Sequence, residues 1–380
     1  MTPMKRAALA TISLAALLAL NPLTLHALAQ PAKQAAADDS GTMQRADKDM
    51  KRVLAKLQEL GAKPIGTQSV EVTRKGPTPA DAVKAVLKDE GRDPAALMAQ
   101  MKVAKKDMTY PTGGGSQTVR IYTPEDAGEW PLPVIVYYHG GGWVIADLDT
   151  YESSAMALAH KAKAIVASVE YRHAPENKFP AAHEDAFAAY RWVLENAGQF
   201  RGDAKRVAVA GESAGGNLAL NVAIAARDQK VQEPVHMLLV YPVAGTDTDT
   251  RSYQKNTHAM PLSKQAMEWF VQNTVSRPED KQDPRLDLVG QANLKDLPPA
   301  TVIAAEIDPL MSEGKTLSDK LKQAGGDSSY HAYEGVTHEF FGMDAVVADA
   351  KKAQDVAAKD LREAFSSKAT GSTRSGAAKQ

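Results

Sequence analysis

The stretch that decides the fold runs from Arg206 to Gly216 and reads RVAVAGESAGG. Its apolar first half is typical of a buried strand, and the segment after it, 214–227, has a helical pattern. The residues between them match G-x-S-x-G, the sharp strand–turn–helix pattern that lifts a serine hydroxyl above a sheet. Small neighbours are needed there because strand and helix come close. Ser213 is therefore the candidate nucleophile, and an ordinary Gly/Ser turn is the alternative.

Apolar runs of strand length recur on both sides of this stretch. They lie at 103–110, 117–123, 132–138, 164–171, 206–211, 236–243, 300–307 and 328–333. The first two runs predict a hairpin across Gly113–Gly115, and helical patterns at 151–162, 181–196 and 214–227 separate several of the others. Strands that alternate with helices indicate an α/β fold, with a mostly parallel sheet covered on both faces.

Two regions depart from this alternation. Residues 43–100 hold amphipathic patterns at 43–60 and 78–91, which predict helices added in front of a main domain at 101–365. The connection at 244–299 is too long for a plain loop. Its Met and aromatic side chains between Met260 and Phe270 predict a partly helical lid. We interpret these side chains as the core of the lid, with the wall of an acyl pocket as the second interpretation.

The ends of the chain predict export and disorder. Lys5 and Arg6, the apolar run 7–20 and the A-x-A pattern at 27–29 predict a signal peptide at 1–29, cleaved before Gln30. The apolar run is too short to span a bilayer. We expect a periplasmic or secreted protein without a stable membrane anchor. A small, polar linker is predicted at 30–42 and a disordered tail at 366–380.

Composition excludes several classes of function. Of 380 residues, 45 are basic and 46 acidic, and the formal net charge of -1 disfavours nucleic acid as a partner. The chain has no cysteine, which excludes disulfides, thiolate metal sites and a cysteine nucleophile. A homodimer is compatible with these patterns.

A glycine-rich turn, HGGGW at 139–143, directly follows the strand predicted at 132–138. Its uncovered backbone N–H groups can point at a carbonyl oxygen and, with the N–H of Ala214, form an oxyanion hole. A phosphate-binding loop would need a downstream Gly-Lys-Ser/Thr, and none follows. We interpret His139 as a structural hydrogen-bonding residue, because it precedes the serine in the chain.

A serine nucleophile needs a base. In folds with this strand–turn–helix serine motif, the serine comes first in the chain, the acid second and the base last. The histidines after Ser213 are His236, His258, His331 and His338. His236 opens a strand, His258 lies in the lid, and His331 alternates within a strand. His338 lies in a loop beyond the last strand, from which an imidazole can reach the serine, and is favoured as the base.

The orienting carboxylate should leave the carboxyl end of the strand before that histidine. Asp308 is in this position, and Pro309 ends the strand. Asp247 and Asp249, which follow the strand predicted at 236–243, are the alternative. An ordinary turn or helix cap is the structural alternative for Asp308.

Four motifs, in this order, resemble the bacterial hormone-sensitive-lipase-like esterases of the α/β-hydrolase fold. They are HGGGW at 139–143, YRHAPE at 171–176, GESAGG at 211–216, and Asp308-Pro309-Leu310 ahead of His338. The resemblance covers about residues 65–365. It implies a triad of Ser213, Asp308 and His338, an oxyanion hole from Gly140, Gly141 and Ala214, and a cap to which the N-terminal helices contribute.

The resemblance also implies a carboxylic-ester hydrolase that acts on small-molecule esters with short acyl chains, without cofactor or metal. Two departures are Glu212, where one large subgroup has Asp, and His173, where Leu is frequent. An amidase, peptidase or polyester hydrolase with the same triad is the alternative. A non-catalytic small-molecule-binding relative is another, although such proteins usually lack a triad member. For Arg172 and Glu176 we predict a local ion pair that holds the turn after the strand at 164–171, with substrate binding as the alternative.

Overall fold

An eight-stranded sheet forms the centre of the protein, in the order β1-β2-β4-β3-β5-β6-β7-β8. The computed structural model describes residues 41–369. The strands are β1 Val103–Thr112, β2 Gly115–Pro124, β3 Leu132–Tyr138, β4 Ile165–Val169, β5 Gly202–Glu212, β6 Met237–Val240, β7 Ala300–Ile307 and β8 Ser328–Thr337. The hairpin β1–β2 is antiparallel and β2 pairs antiparallel with β4, whereas all pairs from β4 to β8 are parallel. The predicted α/β fold with a mostly parallel sheet is confirmed.

Both faces of the sheet are buried. Val134 and Val136 of β3 belong to one hydrophobic cluster, and the alternate residues Ile135 and Tyr137 belong to a second. Successive side chains of a strand point to opposite faces, so each cluster marks one covered face. This two-sided burial explains why the central strands are continuous apolar runs rather than alternating ones.

The helices follow the predicted alternation in the main domain. They are α1 Lys48–Glu59, α2 Val70–Arg74, α3 Pro79–Asp89, α4 Pro94–Gln100, α5 Glu152–Ala162, α6 Ala181–Asn196, α7 Ala214–Asp228, α8 Arg251–Lys255, α9 Lys264–Thr274, α10 Leu288–Gln291, α11 Met311–Gln323 and α12 Ala348–Ala369; 3-10 turns lie at Ala197–Phe200, Pro278–Gln282 and Phe340–Gly342. Helices α6 and α7 contribute to the first cluster, whereas α1, α3, α5 and α12 contribute to the second. The sheet is thus flanked by helices, as predicted.

The N-terminal segment is helical from residue 41, so the linker predicted at 30–42 ends too late. Residues 41–45 form a helical turn in which the Ala46 N–H donates to the Thr42 carbonyl over 2.9 Å. Both of these residues are buried, which ties the turn to the core. The sequence of this region is small and polar and shows no apolar periodicity, so it gives no sign that the turn packs on the core. The signal peptide predicted at 1–29 and the linker up to residue 40 lie outside the described residues.

The C-terminal helix is also longer than expected. α12 continues to Ala369, so the tail predicted from residue 366 is wrong for 366–369, and 370–380 lie outside the described residues. Ala350, Ala353, Ala357, Leu361 and Phe365 are buried along one stripe of the helix. This docked stripe stabilises the helix, and the small residues that follow do not interrupt it. In the described part of the chain, no helix is long and apolar enough to cross a membrane.

The connection at 244–299 holds the helices α8, α9 and α10. Met267 and Phe270 of α9 are buried, and the Phe270 ring packs on Gly142 of the glycine-rich turn. The N-terminal segment meets the same region, since Gly66 lies against Trp269 and Arg45 Nη2 donates to Asn256 Oδ1 over 2.6 Å. The N-terminal segment and the connection at 244–299 therefore both cover the carboxyl ends of the parallel strands.

Candidate active site

Ser213 occupies a strained turn between β5 and α7. Its backbone is left-handed, with φ 57° and ψ -119°, a conformation that is uncommon for a residue with a side chain. Gly211 and Gly215 permit the turn, because an added Cβ would collide with the Gly215 carbonyl in the first case and the Tyr138 carbonyl in the second. The close approach of β3, β5 and α7 thus explains the glycines of the pattern. Strain of this kind is characteristic of functional sites.

Asp308 and His338 form a buried hydrogen-bonded pair. His338 Nδ1 lies 2.7 Å from Asp308 Oδ2, and neither residue is more than 2% exposed. Asp308 immediately follows β7 and also accepts the Leu310 N–H over 2.9 Å, while His338 immediately follows β8. Since a carboxylate only accepts, Nδ1 carries the proton and leaves the lone pair on Nε2. Burial lowers the pKa of His338, but the charges of Asp308 and Glu339 outweigh burial and raise it above its ordinary value.

Tyr241 connects the serine turn with this pair. The Ser213 N–H donates to the Val240 carbonyl over 2.9 Å, and the next residue, Tyr241, places its ring centroid 4.4 Å from that of His338. Within residues 41–366 no hydrogen bond joins Ser213 Oγ to His338. Such bonds are often long in free enzymes and tighten around a substrate. Tyr241 belongs to no recognisable motif, and the one signal for it in the sequence is its position just after β6, at the same sheet edge.

The glycine-rich turn presents free backbone donors beside Ser213. Gly141 and Gly142 have φ of +94° and +59°, values that suit glycine. Among the described residues, none accepts a hydrogen bond from the N–H of Gly140, Gly141 or Ala214. Ala214 opens α7, so its N–H has no partner within the helix. Three donors at the carboxyl edge of the sheet can therefore bind an oxyanion.

We expect Gly141→Ala to lower kcat by roughly a hundredfold or more, since losing one oxyanion donor has about that effect. An added Cβ would collide with the Ile145 carbonyl at a positive φ, so the turn must shift. Ester turnover and the melting temperature are measured together. The matched control is Gly113→Ala in the β1–β2 turn, where the nearest atom to the new Cβ, Nη2 of Arg172, is 3.9 Å away. A Gly141→Ala enzyme with unchanged kcat would contradict the role of this turn.

Glu212, the residue before the serine, is buried in a cluster of hydroxyl groups. Tyr137 Oη donates to Glu212 Oε1 over 2.5 Å, and Tyr241 Oη donates to Oε2. Nearby, Tyr151 Oη donates to Glu339 Oε1 over 2.7 Å. Burial raises the pKa of Glu212 to about 7, with the charge of Glu339 adding to the effect. Through its bond to Tyr241, the Glu212 carboxyl therefore stabilises the segment that lies beneath the Ser213 turn.

Glu212→Gln should change how stability depends on pH. In the unfolded chain a glutamate ionises near about pH 4.3, whereas folded Glu212 has a pKa of about 7. Between these values the unfolded state releases its proton first, so wild-type stability falls as pH rises through this window. We expect the wild type to lose about 3 kcal/mol relative to Glu212→Gln across it, measured by urea unfolding at several pH values. Parallel curves for the two proteins would refute this, and Glu195→Gln on the exposed face of α6 is the control.

A pocket of about 440 Å³, including its open mouth, lies between the glycine-rich turn and the lid. Most of its lining is apolar, with Trp143, Val243, Tyr253, Met267, Val271 and Leu286 among the residues. The Val243 N–H donates to the Ser213 carbonyl over 3.1 Å, which places the pocket next to the serine. Its position beside Ser213 and its apolar lining suit the acyl part of an ester.

The predicted ion pair between Arg172 and Glu176 is wrong. Arg172 instead binds Asp185 of α6, with Nη2–Oδ1 and Nε–Oδ2 distances of 2.7 and 2.8 Å. Glu176 pairs with Arg74 of α2, whose two terminal nitrogens each lie 2.8 Å from a carboxylate oxygen. Arg74 Nε also donates to the Val144 carbonyl over 2.8 Å. Arg172 and Glu176 therefore pair with residues of α6 and α2, respectively, and not with each other.

The remaining candidates lie elsewhere. His331 lies within β8, and His236 Nε2 is 3.0 Å from Thr301 Oγ1. Asp247 and Asp249 are exposed; Asp249 Oδ1 accepts from Lys264 Nζ over 3.0 Å. Among the acidic alternatives, the described structure brings Asp308 to His338 and leaves Asp247 and Asp249 at the surface.

Comparisons with known proteins find similarity to hydrolases of this fold. The profile of a family described as alpha/beta hydrolase fold matches residues 135–342. Carboxylesterase NlhH of Mycobacterium tuberculosis is 36% identical over 266 residues, which cover 69% of this chain and 82% of that protein. Ethyl acetate hydrolase of Pseudomonas putida is 34% identical over 239 residues, covering 62% of this chain and 75% of that protein.

Solved structures are similar over more of the chain. An esterase of Pyrobaculum calidifontis superimposes with a TM-score of 0.70 at 34% identity, covering 81% of this chain and 97% of that one. A thermostable esterase from Pseudomonas putida ECU1011 has a TM-score of 0.73 at 28% identity, covering 84% of this chain and 98% of the other. Each likeness thus extends over more than four-fifths of this chain.

Proposed function

The chain belongs to the family of the alpha/beta hydrolase fold, and from this membership we propose that it is a carboxylic-ester hydrolase with Ser213, His338 and Asp308 as its triad. The observation that carries the proposal is the buried 2.7 Å contact between His338 Nδ1 and Asp308 Oδ2. It leaves the basic Nε2 at the sheet edge where the strained Ser213 turn ends. The Asp308 carboxylate, the His338 imidazole that it orients and the Ser213 hydroxyl together match the requirements of acyl transfer.

The reaction begins when Ser213 Oγ attacks the ester carbonyl and His338 Nε2 takes the hydroxyl proton. The N–H groups of Gly140, Gly141 and Ala214 stabilise the negative charge that develops on the carbonyl oxygen. His338 then gives the proton to the leaving alkoxy oxygen, and an alcohol departs as the acyl-enzyme forms. Water, deprotonated by His338, attacks the acyl-enzyme, and the returning proton restores Ser213.

We further propose that the enzyme prefers short acyl chains. The small apolar pocket beside Ser213 supports this preference, because helix α9 of the lid lines its wall with Met267 and Val271. The carboxylesterase and ethyl acetate hydrolase relatives support small esters as substrates. A long chain would have to displace the lid to enter.

The function is tested with p-nitrophenyl esters from acetate through butyrate and octanoate to palmitate, together with the anilide that matches the best ester. We expect kcat/KM to be highest for acetate or butyrate and to fall steeply towards palmitate, with slower cleavage of the anilide. Faster cleavage of the anilide would replace the proposal with an amidase. Absence of turnover with every ester and with the anilide would favour a non-catalytic binding protein.

We also propose that the protein is exported, on the basis of the signal-peptide pattern at 1–29. The expected product in the periplasm or medium begins at Gln30, as read by N-terminal sequencing of the exported protein. Exported material that still begins at Met1 would overturn this proposal.

A further inference from the structure

A second polar cluster lies at the same sheet edge and takes no part in the proposed reaction. It consists of His139, directly after β3, Glu170, directly after β4, and His173. β3 and β4 are parallel neighbours, so the segments that leave them run side by side. His139 is fully buried, whereas Glu170 and His173 retain about a fifth of their side-chain exposure, at 21% and 17%, so the cluster opens towards solvent.

The three side chains converge on one point. Glu170 Oε1 lies 3.2 Å from His173 Nε2 and 3.6 Å from His139 Nε2, and all three ligand atoms lie within 4.8 Å of one another. Around a tetrahedral zinc ion, with bonds of about 2.0–2.2 Å, neighbouring ligand atoms are about 3.3 Å apart. The two nitrogen–oxygen distances already match this spacing. The two nitrogens lie within 4.8 Å of each other.

Both imidazoles present an uncommitted nitrogen to this point. His139 Nε2 and His173 Nε2 are buried and have no hydrogen-bond partner among the described residues. His139 Nδ1 lies 2.8 Å from the Gly140 carbonyl, which only accepts, so Nδ1 carries a proton and, in the neutral imidazole that binds a metal, Nε2 holds the lone pair. A hydrogen bond from the far nitrogen to a carbonyl is the usual way in which a metal-binding histidine is oriented. The Tyr171 ring, stacked at 4.4 Å, fixes the plane of His139 further.

The surrounding charges favour a cation. Glu170 Oε2 accepts the Leu148 N–H over 3.3 Å, which orients the carboxylate, and Asp147 adds negative charge close to Glu170. Arg74 approaches His173, but its guanidinium is paired with Glu176 at 2.8 Å. The site therefore combines two imidazole ligands and one carboxylate with a nearby second acid.

We propose that His139, Glu170 and His173 bind a divalent transition-metal ion of the zinc class, with water as the fourth ligand. Two imidazole nitrogens and one carboxylate suit Zn²⁺ or Co²⁺, whereas Mg²⁺ and Ca²⁺ prefer oxygen ligands throughout. His139 directly precedes Gly140 in the chain, so the bound ion would also stabilise the glycine-rich turn that forms the oxyanion hole. This site does not depend on the proposed ester hydrolysis, since none of its residues belongs to the triad.

The test uses the full chain without a polyhistidine tag, freed of metal by a chelator and titrated with Zn²⁺ in a calorimeter. We expect one ion per chain, a higher melting temperature with Zn²⁺, and the visible bands of tetrahedral cobalt when Co²⁺ is added. His173→Leu should weaken Zn²⁺ binding by at least about a hundredfold. His331→Leu, a histidine of β8 outside the cluster, should bind as the wild type does.

Glu170→Gln is the second variant, because it keeps the side-chain shape and serves if His173→Leu does not fold. Its Zn²⁺ affinity should also fall, while its melting temperature without metal stays near that of the wild type. Failure of the wild-type protein to take up Zn²⁺ would overturn the proposal. Binding that survives unchanged in folded His173→Leu or Glu170→Gln would overturn it as well.

Discussion

Ser213→Ala is expected to lower kcat on the best ester by roughly a millionfold, the loss seen when a serine protease loses its nucleophile. The variant keeps the glycine-rich turn and the pocket, so substrate should still bind with nearly unchanged affinity. Because alanine also carries a Cβ, the left-handed backbone at position 213 is strained to the same degree in both proteins. The melting temperature should therefore remain close to that of the wild type.

Ser116→Ala is the matched control for the serine. Ser116 is exposed in β2 and lies outside the site, so its replacement should leave kcat unchanged. Activity is measured with enough enzyme to detect a residual rate, and the protein is purified from a host that lacks secreted esterases. Substantial turnover by Ser213→Ala would remove this serine from the mechanism.

Asp308→Asn is expected to lower kcat by about ten-thousandfold, as an Asp-to-Asn change does in the serine-protease triad. The amide keeps the size of the side chain but removes its charge. It can also donate to His338 Nδ1, which would move the proton to Nε2 and leave no base facing the serine. Substrate binding should change far less than kcat, because the Asp308 side chain is buried behind the histidine.

Asp247→Asn and Asp249→Asn provide the controls for the acid. Both are exposed after β6, and both should keep near wild-type activity. Melting temperatures are required for all three variants, since Asp308 also accepts the Leu310 N–H and so contributes to the turn after β7. Loss of activity in Asp247→Asn or Asp249→Asn, with Asp308→Asn active, would place the acid after β6.

The strands and the positions of Ser213, Asp308 and His338 could be predicted from the sequence because their signals are local. Buried parallel strands are short apolar runs, and each candidate follows directly after one. Their carboxyl ends meet at one edge of the sheet, so the order of strands alone brings the side chains together. The contact of His338 with Asp308 could therefore be expected although 30 residues separate them.

The features that sequence reasoning missed depend on contacts between distant segments. Arg74 and Glu176 are 102 residues apart, and no local pattern in either segment identifies the other. Helices α2 and α4 have no buried residues, so they carry no apolar period that could reveal them. The cluster of His139, Glu170 and His173 likewise forms only because β3 and β4 lie side by side, although His173 is itself a departure from the family pattern.

In the proposed mechanism Ser213 is the residue that forms the acyl-enzyme. The most direct measurement is labelling of the wild-type protein with a stoichiometric fluorophosphonate, followed by intact mass spectrometry and peptide mapping. We expect one adduct per chain, on the peptide that contains Ser213, with turnover lost in proportion to labelling and no adduct on Ser213→Ala. An adduct on another residue, or full labelling of Ser213 with turnover intact, would contradict it.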